Sequence, residues 1–98
     1  MTIKTNKGDG ITTVLLIGRL DTITAPELES KLKEILDGTT DLIFDLSSLE
    51  YISSAGLRTL LSYQKSLGNK GTMKLKNLSE NVIEIMNVTG FSSIMTIE

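Results

Sequence analysis

The 98-residue sequence contains no cysteine, no histidine, no tryptophan and a single proline. Each absence removes a class of chemistry. Without cysteine there is neither a disulfide framework nor a thiolate nucleophile, and the expected setting is reducing and cytoplasmic. Without histidine there is no Ser-His-Asp triad, no imidazole base and no His-ligated zinc. Only 4% of residues are aromatic, and the ten Lys/Arg are scattered under a net charge of −2. A nucleic-acid binder usually shows a basic stripe or interleaved aromatics, so no direct nucleic-acid contact is expected. No apolar run approaches the length of about 18 residues that marks a membrane span, and no cationic stretch leads into an apolar one. Neither a transmembrane helix nor a signal peptide is therefore expected. The G-x-S-x-G elbow, the Walker loop and G-x-G-x-x-G are also missing. The expectation is a protein that is not an enzyme, with no catalytic residue, no metal and no cofactor. Hydroxyl, carboxylate, amine and backbone amide are what remain.

What is present reads as one Leu/Ile-built globular domain over residues 1–98, with 40% hydrophobic content and enough length for a single core. "TIKTNK" (2–7) reads as an edge strand, "GDG" (8–10) as a turn and "ITTVLLIGRL" (11–20) as a second strand, together a hairpin. In the next segment Thr24, Pro26 and Glu27 suggest a Thr-x-x-Glu capping box. Leu28, Leu32, Ile35 and Leu36 then recur at helical spacing until Gly38. "TDLIFDLS" (40–47) reads as a central strand covered on both faces. A helix with Leu57, Leu60, Leu61, Gln64 and Leu67 on one stripe follows, stopped by Gly68. "GTMKLKN" (71–77) alternates as a strand. Ser79 caps a helix carrying Val82, Ile85 and Met86 that ends at Thr89-Gly90, and "SIMTIE" (93–98) reads as a last strand. The order ββαβαβαβ predicts an α/β fold, a mostly parallel sheet with an N-terminal hairpin and packed helices. Right-handed crossovers would gather the three strand-to-helix junctions at one pole: "GRLDTIT" (18–24), "DLSSLEYISSAG" (45–56) and "KNLSEN" (76–81). In open α/β sheets that pole is where ligands and partners bind.

The middle junction places Ser53 and Ser54 before Ala55 and Gly56. Ser54 precedes the periodic apolar residues by the interval of an N-cap. Gly56 in a first helical turn costs about 1 kcal/mol relative to alanine. Either close packing against the neighbouring junction or close approach by a partner would account for it. A serine at a helix start can also carry a phosphate without harm to its domain, because a dianion meets the positive end of the helix dipole and unsatisfied N–H groups. Such a change alters the surface and leaves the fold alone.

These segments resemble the STAS domains, and among them the stand-alone bacterial anti-sigma factor antagonists. "GRLDTITAPELESKL" is similar to the family's G-x-L-D segment, "LIFDLSSLEYISSAGLRTLL" to its central strand followed by D-S-[SA]-G-L, and "IMNVTGFSSIMTI" to its late pattern. The resemblance implies a single STAS domain in which the serine two residues before Gly56-Leu57, Ser54, is phosphorylated by a partner that is both anti-sigma factor and serine kinase. The unphosphorylated form then binds the anti-sigma factor and frees the sigma factor, and a metal-dependent serine phosphatase resets the switch. Asp21, Thr22, Ser53, Ser54, Ala55, Gly56 and Leu57 are the partner-binding residues it implies. Asp21 also suits the positive end of the first helix dipole. Two departures stand out: Ser53 replaces the aspartate common before the phosphoserine, and the resemblance ends at Glu98 where many relatives add a helix, which would leave one sheet face thinly covered or covered by a partner. Two rivals share this framework. One is a STAS scaffold serving a lipid-transport ABC system or a stress-signalling complex. The other is an enzyme or small-ligand binder that uses the helix N-termini as an anion site.

Overall fold

A computed structural model describes residues 1–35 and 38–98. β1 (Thr2–Gly8) and β2 (Ile11–Leu20) form an antiparallel hairpin closed by the Gly8–Ile11 pair. Between them Asp9 and Gly10 both have positive φ, 52° and 79°. A two-residue turn of that hand matches the twist of the flanking strands, and Asp-Gly is a preferred occupant. The expected hairpin and its turn are both present.

The chain continues through α1 (Ala25–Ile35), β3 (Asp41–Ile52), α2 (Ser54–Leu67), β4 (Thr72–Lys76) and α3 (Glu80–Thr89). The sheet order is β1-β2-β3-β4, with β3 parallel to both β2 and β4. Successive crossovers therefore step in one direction, and right-handed connections of that kind stack their helices on one face. Burial shows the consequence. Thr12, Val14 and Leu16 of β2, Leu42, Phe44 and Leu46 of β3, and Met73 and Leu75 of β4 are buried. Their neighbours Thr13, Leu15, Ile43, Asp45, Lys74 and Lys76 are only half-buried. The expectation that β3 is covered on both faces is thus corrected: its apolar run fills one covered face and contributes Ile43 to an open one.

Under the helices the core is aliphatic, with Leu28 and Leu32 of α1 and Leu57, Leu60 and Leu67 of α2 packed over Phe44 and Leu16. Leu61 and Gln64 of the expected stripe are half-buried, and Gly56, Thr59 and Tyr63 take the remaining buried positions on α2. Leu36, assigned to the α1 stripe from its spacing, lies outside the described residues. Gly68 (φ 49°) and Gly90 (φ 83°) stop α2 and α3 as expected.

Two further differences concern strands. β3 runs to Ile52, five residues beyond its expected end, because it holds two more residues than the β2 segment it pairs with. Register shifts fall between Leu15 and Ile17 and between Gly18 and Arg19. At the first, Asp45 Oδ1 accepts the Ser47 N–H at 3.0 Å, which fixes the extra residue. Leu46, Leu49 and Ile52 are consequently buried at intervals of three, a spacing that does not read as a strand. The last strand, by contrast, shrinks to one parallel bridge. A 3-10 turn occupies Phe91–Ser93, and only Ile97 pairs with Leu75 of β4, through the bonds Leu75 N to Thr96 O (2.9 Å) and Glu98 N to Leu75 O (2.8 Å).

Candidate functional site

The C-terminal ends of β2, β3 and β4 lie at one pole, as the topology requires, and hydrogen bonds tie their junctions together. Ser53 N donates to the Leu20 carbonyl at 2.9 Å, joining the β3–α2 connection to the end of β2. On the other side Asn81 Nδ2 donates to the Glu50 carbonyl at 2.9 Å, and Asn77 Nδ2 to Asp45 Oδ1 at 3.3 Å. The end of β3 is held from both flanks.

A single residue, Ser53, connects β3 to α2. Its backbone is extended (φ −92°, ψ 171°), and its Oγ accepts the Gly56 N–H at 3.2 Å. Ser53 is therefore the N-cap, and Ser54, expected in that role, is the first helical residue. The correction has a packing cause. Gly56 sits under the end of β2, where an added Cβ would lie 2.8 Å from Leu20 Cγ and 2.9 Å from the Leu20 carbonyl oxygen. That approach sets the start of α2, so the residue three before Gly56 becomes the cap. Close packing against the neighbouring junction accounts for the glycine. With Ser53 engaged, the Ser54 side chain is exposed and its hydroxyl has no hydrogen-bond partner among the described residues.

Beside this turn the β2–α1 loop is fastened by Asp21. Its Oδ1 accepts the N–H groups of Ile23 and Thr24, each at 3.0 Å. Arg19 Nε lies 3.9 Å from Asp21 Oδ2, and the same guanidinium stacks over the Tyr51 ring at 4.5 Å. The Thr24 N–H above all, then those of Ile23 and the nearby Arg19, hold the Asp21 carboxyl below its ordinary value against a partial desolvation. Asp45, at the bulge, is lowered likewise, first by the Ser47 N–H. The Thr-x-x-Glu capping box expected at α1 is replaced by this knot. The Thr24 hydroxyl turns back to accept the Asp21 N–H (2.9 Å) and lies 2.8 Å from the Arg19 carbonyl, while the Thr24 carbonyl receives the Glu27 N–H (3.0 Å).

The seven residues implied as partner-binding thus divide. Thr22 and Ser54 are exposed; Asp21, Ser53 and Ala55 are half-buried. Gly56 is buried against Leu20 and Ile52, and Leu57 has 0% exposure within the core. They shape the surface from below and do not form it. Sequence reasoning passed over Ile23, whose exposure is 82%; an apolar residue isolated in "DTIT" was the only signal.

The arrangement offers an exposed hydroxyl, a carboxylate and backbone N–H groups. Among the described residues no group of three or more Asp and Glu is placed to hold a metal ion, and no helix is long and apolar enough to cross a membrane. Two shallow concavities lie elsewhere. One of about 170 Å³ is lined by Ile11, Asp41, Ile43, Thr72 and Lys74 on the open sheet face. The other, about 370 Å³, follows Asn81, Glu84, Ile85, Val88 and Thr89 along α3.

Comparison with known proteins places this geometry. The chain is 35% identical over 99 residues to BtrV of Bordetella bronchiseptica, provisionally named an anti-sigma factor antagonist, covering 99% of this chain and 85% of that one. It is 32% identical to the anti-sigma-B factor antagonist of Bacillus subtilis, covering 97% and 86%. Among solved structures, the anti-sigma factor antagonist SpoIIAA of Bacillus shares the fold at 18% identity. Its unphosphorylated form superposes with a TM-score of 0.76 over 99% of this chain and 87% of its own. Its phosphorylated form gives 0.74 over 99% and 91%. Residues 2–98 match the STAS domain family. The match spans the four-stranded sheet and the helices that follow its strands, and the chain belongs to the STAS domain family.

Proposed function

We propose that this chain is an anti-sigma factor antagonist switched at Ser54. In its unphosphorylated form it binds an anti-sigma factor that also acts as a serine kinase, and so frees the sigma factor. Phosphate on Ser54 ends that binding, and a metal-dependent serine phosphatase restores it. Asp21, Thr22, Ser53, Ser54 and Ala55 form the contact surface, with Gly56 and Leu57 supporting it from below.

The observation that carries this reading is the division of labour between the two serines. Ser53 caps the helix, so Ser54 projects an uncommitted hydroxyl from its first turn. That turn contains no acidic residue, whereas the first turn of α1 carries Glu27 and that of α3 Glu80. The positive end of the α2 dipole is left for an anion to occupy, and phosphate supplies one without disturbing the cap. The relatives' names, and the existence of SpoIIAA in both phosphorylation states, support the same reading.

A phosphate adds about −1.5 to −2 charges to the contact. If the facing surface is apolar or acidic, desolvation and repulsion cost several kcal/mol, and a cost of about 4 kcal/mol is roughly a thousandfold in affinity. Calorimetry against the kinase-type anti-sigma factor encoded by the same genome tests this. Ser54→Ala should bind even with ATP present, and Ser54→Asp should bind poorly. Equal affinities for the two variants would sink the switch. Incubation with that kinase and ATP should add one phosphate to wild type and none to Ser54→Ala.

A further inference from the structure

Isolated apolar residues on a surface are ordinary, and exposure alone assigns them nothing. Ile23 differs from such residues in how it is held. Its own N–H and that of Thr24 both end on Asp21 Oδ1, at 3.0 Å each. The Ala25 N–H closes the turn on the Asp21 carbonyl at 2.8 Å, and Thr24 fastens it to the Arg19 carbonyl at 2.8 Å. The backbone on both sides of Ile23 is fixed, and a β-branched side chain has little χ1 freedom to lose. Yet the side chain itself is 82% exposed, while Ala25, Leu28 and Leu32 supply the face that α1 buries. The fold rigidifies this residue without using it.

Its position is equally defined. Leu20, whose carbonyl receives the Ser53 N–H and whose side chain abuts Gly56, lies three residues before it. Three residues span at most about 11 Å, so the backbone of Ile23 lies within that reach of Leu20, which itself contacts the turn that presents Ser54. Its chain neighbours Asp21, Thr22 and Thr24 are polar and wholly or partly exposed. An apolar centre within a polar rim is the anatomy of a protein contact, and rigid anchors dock at low entropic cost.

We propose that Ile23 is the apolar anchor of the partner contact, filling an apolar pocket on the protein that reads Ser54, with the pocket rim offering a donor or cation to Asp21. This rests on the reading of the Ser54 pole as the partner site. Val88 provides the internal control. It is 81% exposed, but sits in the last turn of α3, eight residues and about 12 Å along the helix from the pole-facing Glu80.

The test is calorimetry of Ile23→Ala, Ile23→Val and Val88→Ala against the purified anti-sigma factor used for the Ser54 variants, with circular dichroism to check folding. Burial of a side chain of this size predicts that Ile23→Ala binds about 10- to 30-fold more weakly, Ile23→Val within about threefold, and Val88→Ala like wild type, all with unchanged spectra. If Ile23→Ala stays within about twofold of wild type while Ser54→Asp loses binding, the anchor is overturned and the switch stands. If Ile23→Ala and Ser54→Asp both bind like wild type, the anchor and the switch fall together. An equal loss in Val88→Ala also overturns the anchor, since it would indicate apolar adhesion without a defined site.

Discussion

The first turns of α2 and α3 are built on the same plan and end in different chemistry. In each a serine in extended conformation caps the N–H three residues on: Ser53 to Gly56 at 3.2 Å, and Ser79 to Val82 at 3.3 Å. In each the third residue is buried. The α3 turn is then finished internally. Glu80 supplies the negative charge that suits a helix N-terminus, and Val82 fills the core. In α2 the corresponding positions are Ser54 and Gly56. A hydroxyl stands where a carboxylate could, and a glycine lets the turn slide under β2 until Ser54 faces outward. One turn is complete as folded; the other leaves its positive end open to the phosphate proposed for Ser54.

The comparison can be broken most forcefully at the third residue. Gly56→Val would place a branched side chain where a Cβ alone would already crowd the Leu20 carbonyl at 2.9 Å. We expect a loss of about 3 kcal/mol, the upper range for overpacking, measured by urea denaturation. Unchanged stability would mean that α2 can withdraw from β2, and the packing account of the cap would fail.

Next in size are the caps. Ser53→Ala should cost about 1 kcal/mol, as should Ser79→Ala, whereas Ser54→Ala should stay within about 0.5 kcal/mol of wild type. A larger loss from Ser54→Ala than from Ser53→Ala would reverse the assignment of cap and free hydroxyl.

Giving α2 the acid that α3 already has should produce a smaller effect of opposite sign. Ser54→Glu should raise stability by about 0.3–1 kcal/mol at low salt, fading as ionic strength rises. A destabilised variant would show that the α2 terminus does not welcome negative charge, and the proposed phosphate would lose its structural rationale.

The smallest effect is expected from pH. The carboxyls of Asp21 and Asp45 lie below their ordinary value of 3.8 in the folded chain. The unfolded chain therefore binds more protons as acid is added, so their contribution is present above about pH 4 and is lost as pH falls through the folded values. Asp21→Asn keeps an oxygen to accept the Ile23 and Thr24 N–H groups but cannot titrate. Denaturation curves of this variant should lose less stability than wild type between about pH 4 and pH 2. Identical acid slopes would show that the Asp21 knot is not electrostatic.

Much of the fold was legible because local rules and the tertiary result agree. Asp9-Gly10 can adopt the positive φ of a hairpin turn in isolation, and Leu28 and Leu32 share a helical face before anything packs on it. Ser79, followed by Glu80, reads as a helix start and is one. Illegible features were those set by a neighbouring strand. Leu46, Leu49 and Ile52 recur every third residue because β3 bulges twice against β2, and no single-strand period encodes that. Thr24 and Glu27 match the capping-box pattern, but the nearby Asp21 carboxylate takes the Thr24 N–H that Glu27 would accept, and the Glu27 N–H goes to the Thr24 carbonyl.

At the site the same boundary falls between Ser53 and Ser54. Composition and order of elements fixed an α/β domain without histidine or cysteine chemistry, and the topology of parallel strands put the serine pair at the pole where connections converge. Two adjacent hydroxyls cannot be ranked by their own propensities, because serine serves equally well at a cap or just inside a helix. The choice was made by Leu20, thirty-six residues before Gly56. Its contact with the glycine sets how far α2 advances beneath β2, and so which serine turns inward to the backbone and which is left to the solvent.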